Sequence, residues 1–141
     1  MTTFRITIAL SIVLALAGCS GGDGQDRSDE GLNVVATTSI IADIAARIAG
    51  PDAKVDGLMG PGVDPHLYKA SEGDVRRLQN ADVVLVNGLH LEARMGEVLE
   101  RMGDGRTTAV AEGLDPELLL SPPDAQGTHD PHLWFDVELW A

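Results

Sequence analysis

The chain has 141 residues, with 22 acidic against 10 basic side chains, a formal charge of −12 and 44% hydrophobic residues. A balance this acidic repels phosphate backbones and draws in cations, which argues against nucleic acid as a partner. The single cysteine excludes an internal disulfide and a Cys-rich zinc module, so any metal ligation falls to histidine and carboxylate.

The chain opens with an address. Arg5 supplies a positive start, Ile6 to Leu16 is a run dominated by apolar residues, and Ala17-Gly18 are small residues suited to a peptidase, so residues 1–18 are expected to be a signal peptide. The apolar run is too short to span a bilayer comfortably. Leu16-Ala17-Gly18-Cys19 resembles the lipobox of bacterial lipoproteins, which makes Cys19 the expected lipidated first residue of a mature chain. The alternatives are a plain secretory signal and an N-terminal anchor helix. Ser20 to Glu30 contains only Gly, Ser, Gln, Arg and acidic residues, so 19–31 is expected to be a flexible tether.

A globular region is expected over 32–136, about one small domain. Leu32 to Thr37 is a β-branched run with the look of a strand buried on both faces. Thr38 and Ser39 are N-cap candidates for a helix carrying Ile40, Ile41, Ile44, Ala45 and Ile48, stopped by Gly50-Pro51. Lys54 to Met59 is a second strand. Ser71 and Asp74 have capping-box spacing at the start of a helix that buries Val75 and Leu78. Ala81 to Asn87 is the clearest buried strand, Glu92 to Met102 a helix with Met95, Val98, Leu99 and Met102 on one face, and Thr107 to Ala111 a fourth strand. This βαβαβαβ order predicts an α/β fold, a parallel sheet covered by helices, with ligands beyond the carboxyl ends of its strands.

Two loops at that edge carry the same tripeptide. Asp64-Pro65-His66 follows the second strand, and Asp130-Pro131-His132 recurs 66 positions later, after the fourth. Each proline fixes its own φ and holds the preceding aspartate extended, so each imidazole leaves a stiff loop in a set direction. His66 and His132 are therefore candidate ligands for zinc or another first-row metal, against the plainer reading of surface-loop histidines. His90, after the third strand, is a lesser candidate for which packing or hydrogen bonding is preferred, and His129 reads as a solvated loop residue. Asp64 and Asp130 read equally well as carboxylates that orient an imidazole N–H and as plain turn formers.

Three stretches resemble the metal-binding lipoproteins of zinc and manganese ABC importers: Gly57 to Tyr68, Asn80 to Glu92, and Asp130-Pro131-His132-Leu133-Trp134-Phe135-Asp136. The resemblance runs from about Asn33 to the last residue. It implies that His66 and His132 are metal ligands, with two further ligands, a His or Glu and then an Asp, supplied by a second lobe that this sequence lacks. Residues 137–141 then correspond to the start of a rigid interlobe helix, capped by Asp136, whose Leu139 and Trp140 are expected to find little to pack against. The sequence is thus expected to be a truncated one, the N-terminal lobe alone.

The function the resemblance implies is extracytoplasmic capture of Zn2+ or Mn2+ and delivery to an ABC permease, by a monomer held by its lipid on a periplasmic or cell surface, with no reaction catalysed. Other classes remain as alternatives. A surface adhesion lipoprotein is one. A zinc-dependent hydrolase is another, although no His-Glu-x-x-His or similar motif with a built-in base is present. The short stretch before the second tripeptide carries no His-rich loop, which tilts the metal toward manganese or a mixture of both.

Overall fold

A computed structural model describes residues 31–103, 105–123 and 127–140. The expected signal peptide, Cys19 and the tether up to residue 30 lie outside the described residues.

Four short strands, β1 (Leu32–Ala36), β2 (Ala53–Gly57), β3 (Val83–Val86) and β4 (Thr107–Ala109), form one parallel sheet in the order β2-β1-β3-β4. Val34 sits opposite Val55 on one side and Val83 on the other, so β1 is an interior strand of the sheet. This is why Val34, Val35 and Ala36 form an unbroken buried run without polar alternation. The chain moves outward from β1 to β2 and then back past β1 to β3. Such a reversal opens a crevice between the carboxyl ends of β1 and β3.

The helices cover both faces. Successive strand residues point to opposite sides, and at the end of β2 Asp56 faces Arg77 of α2 (Glu72–Asn80) at 3.9 Å while Gly57 faces α1 (Ser39–Ala49). A Cβ on Gly57 would stand 3.3 Å from that of Ala42, so glycine here lets the helix approach the sheet closely. Thr38, rather than Ser39, caps α1 by accepting the Ile41 N–H. Ser71 and Asp74 form the expected capping box of α2, in reciprocal side chain–backbone bonds. Leu78 of α2 is fully buried against Val35, Val84 and Met95 in the main core.

Three expectations need correction. The helix expected over Glu92–Met102 begins later, as a 3-10 turn at Ala93–Met95 followed by α3 (Gly96–Arg101), because the three residues before Leu91 adopt positive φ and the chain must turn before it can coil. Met95 is nonetheless buried, with Val98, Leu99 and Met102 packed against the same core. The fourth strand ends at Ala109, and Val110–Gly113 turns as a 3-10 segment. Leu139 and Trp140, in α4 (Val137–Trp140), do find partners: they pack with Leu89 and Leu114 on a second cluster of Ala111, Leu119 and Leu133. That cluster seats the segment bearing the second tripeptide.

Candidate metal centre

The two Asp-Pro-His tripeptides fold alike. In each, the aspartate Oδ1 accepts the backbone N–H of the histidine two residues on, at 2.9 Å in both loops. This Asx turn is local chemistry, available wherever an aspartate stands two residues before a free N–H. The first loop is closed further by the Val63 N–H on the Gly60 carbonyl and the Leu67 N–H on the Asp64 carbonyl. At its exit Tyr68 donates to Asp74 Oδ2 at 2.7 Å, which fastens it to the start of α2. The second loop is anchored through the Asp130 N–H on the Leu120 carbonyl and through the Pro131 carbonyl, which accepts from Asn87 Nδ2 at 2.9 Å.

The loops bring their rings together. His66 Nε2 and His132 Nε2 stand 3.3 Å apart, with ring centroids 5.3 Å apart. Two nitrogens held on one zinc ion at about 2.0–2.1 Å in a tetrahedral arrangement are roughly 3.3–3.4 Å apart. The pair thus has the separation of one edge of a tetrahedral coordination sphere. Trp134 meets the His132 ring edge-on at 5.2 Å between centroids, and limits how that ring turns.

The aspartates differ in what else they do. Asp130 Oδ1 also accepts from His132 Nδ1 at 2.6 Å. In a neutral ring this assigns the proton to Nδ1 and leaves the Nε2 lone pair facing His66, the tautomer a ligand needs. The His132 backbone N–H and then its ring N–H together hold the Asp130 carboxyl below its usual range. Asp64 bonds the backbone N–H of His66.

His90 is exposed in a left-handed turn at φ 62°, next to Leu89 at φ 51° and Gly88 at φ 84°. No group of three or more His, Cys, Asp or Glu with ligating geometry occurs among the described residues, so the structure does not bring His90 into the pair. His129 Nδ1 lies 2.9 Å from Ser121 Oγ in the preceding loop.

Three residues under the pair escaped the sequence reading. Glu92 is 5% exposed, and its Oε1 accepts both the Thr37 hydroxyl at 2.6 Å and the Asn87 N–H at 2.7 Å. Thr37 and Asn87 follow directly on β1 and β3, at the reversal point. Polar residues directly after the apolar runs Val34–Ala36 and Val83–Val86 were the available signal.

In a doubly wound α/β lobe ligands sit beyond the carboxyl edge of the sheet, which is where the two histidines converge. The model of the family described as zinc-uptake complex component A, periplasmic, matches residues 34–141, and the chain belongs to that family. It is 48% identical over 131 residues to the manganese-binding lipoprotein MntA of Bacillus subtilis, which covers 93% of this chain and 43% of that protein. The periplasmic zinc-binding protein TroA of Treponema pallidum superposes with a TM-score of 0.72 at 50% identity, over 78% of this chain and 39% of that one. A Mn-bound periplasmic metal-binding protein from Candidatus Liberibacter asiaticus gives 0.66 at 32% identity, over 77% and 40%. The chain therefore spans less than half the length of these relatives.

Proposed function

We propose that this chain carries half of a capture site for a divalent transition metal, zinc or manganese, in a lipoprotein that delivers the ion to an ABC permease. His66 and His132 are its ligands, each through Nε2. The observation that carries this reading is the 3.3 Å separation of those atoms, held by two loops far apart in sequence at the edge where such sheets bind ligands. Support comes from relatives named for manganese and for zinc binding.

Two imidazoles supply half of the four donors a tetrahedral ion takes. In proteins of the relatives' length the rest are proposed to come from the part that this chain does not span. The metal is cargo, and the protein transforms no substrate. Residues 1–18 are proposed to direct export, and Cys19 to carry the lipid that holds the protein at the outer face of a membrane.

Titration of the full chain with zinc and with manganese, followed by the histidine ring signals in NMR, tests the ligand assignment. His66→Ala and His132→Ala are each expected to remove most of the response, while His90→Ala and His129→Ala leave it. A larger loss at His90 than at His66 sinks the assignment.

A further inference from the structure

We propose that Glu92 is the positioning residue that sets the two histidine loops in register for metal capture, an inference that rests on the reading of His66 and His132 as ligands. The path to each loop is explicit. Glu92 Oε1 takes the Thr37 hydroxyl, and the Thr37 carbonyl accepts the N–H of Met59, the residue just before the loop of His66. The same oxygen takes the Asn87 N–H, and Asn87 Nδ2 donates to the Pro131 carbonyl, one residue before His132. One buried atom therefore joins the end of β1, the end of β3 and both Asp-Pro-His loops.

Asn87 makes two further hydrogen bonds. Its carbonyl accepts from the Ala111 N–H, and its Nδ2 also reaches the Gly88 carbonyl at 3.2 Å. Two carbonyl acceptors fix the amide with nitrogen toward Pro131, and its Oδ1 has no hydrogen-bond partner among the described residues. An amide held in this way only donates to the second loop. The left-handed run Gly88–His90 turns the chain between Asn87 and Glu92, whose Oε1 returns to the Asn87 N–H. Two non-glycine residues at positive φ are maintained there, as expected where surrounding contacts over-determine a backbone that supports a site.

The test uses the full chain with zinc as probe, and reads both zinc affinity and the NMR contact and tautomer signals of the His66 and His132 rings. Glu92→Leu removes the acceptor while keeping an apolar volume, and Asn87→Asp keeps the Asn87 N–H but turns an oxygen on the Pro131 carbonyl. Both are expected to weaken zinc binding about tenfold or more, in the range for outer partners of ligating histidines, and to abolish the ring–ring contact. Glu92→Gln retains an acceptor oxygen and is expected to restore both. A role in stability alone would leave the ring signals of the folded population unmoved. Should Glu92→Leu fail to fold, Asn87→Asp decides by itself. Wild-type affinity and ring contact in a folded Asn87→Asp overturn the proposal, as do equal losses in Glu92→Gln and Glu92→Leu. His66→Ala separates the two levels: undiminished zinc binding in that variant overturns the ligand reading, whereas loss there with wild-type behaviour in Asn87→Asp overturns only the role of Glu92.

Discussion

Tyr68, two residues after His66, donates its hydroxyl to Asp74 Oδ2, the same oxygen that accepts the Ser71 N–H at 2.8 Å and the Ser71 hydroxyl at 2.7 Å. The capping box of α2 is thus also the clamp on the first histidine loop. Tyr68→Phe leaves the ring packed on the main core and removes one donor. A hydrogen bond to a charged group contributes about 1.5–3 kcal/mol at most sites, so melting should fall by several degrees. The His66 ring signals should broaden in the same variant, and unchanged melting and ring signals would disprove the clamp.

Asp74 also makes stability depend on pH. Burial, the largest single effect, pushes its carboxyl up, but the Ser71 hydroxyl and N–H and the Tyr68 hydroxyl together outweigh it, and Arg77 adds to them. The carboxyl ends below its ordinary value of 3.8. A depressed folded value means that the stabilisation is present above the unfolded value and is lost as pH falls through the folded one. Urea midpoints should therefore hold near neutral pH and drop below about pH 4. Asp74→Asn should be less stable at pH 7 and show a shallower acid decline. An identical decline in both proteins would remove Asp74 from the account.

Two glycines should respond oppositely to the same substitution. Gly88 has φ 84°, and a Cβ there would stand 3.1 Å from the Ala109 Cβ and 3.5 Å from that of Ala111. Gly88→Ala meets both backbone strain and crowding, and should cost more than about 1 kcal/mol. Gly96 opens α3 with helical φ and no atom within 4 Å of an added Cβ. Gly96→Ala should stabilise by roughly 0.4–1 kcal/mol. Paired denaturation curves check both signs.

Membrane attachment is expected to depend on Cys19. Acyl chains anchor through about 0.8 kcal/mol per buried CH₂, and two chains hold stably where one exchanges. Cys19→Ala should therefore move the exported protein from the membrane to the soluble fraction. Quantitative retention on membranes after cleavage of residues 1–18 would refute lipidation at this position.

What the sequence by itself determined is whatever depends on near neighbours or on burial pattern. The apolar runs at Val34–Ala36 and Val83–Val86 read as strands buried on both faces, the Ser71/Asp74 spacing read as a cap, and the repeated Asp-Pro-His read as two stiff turns. Each of these is settled within a few residues, through i to i+2 or i to i+3 bonds or through the period of the side chains. The tertiary structure alone decided what depends on distant residues arriving at one point. The approach of His66 and His132 spans 66 positions, and the difference between Asp130, which also bonds its histidine's ring, and Asp64, which bonds its histidine's backbone N–H, follows from how each ring is turned. Glu92 carried no sign of its position in its own neighbourhood, where it read as the first residue of a helix. A buried carboxyl is stable only where donors converge on it, and the Thr37 hydroxyl and Asn87 N–H converge only once β1 and β3 lie side by side.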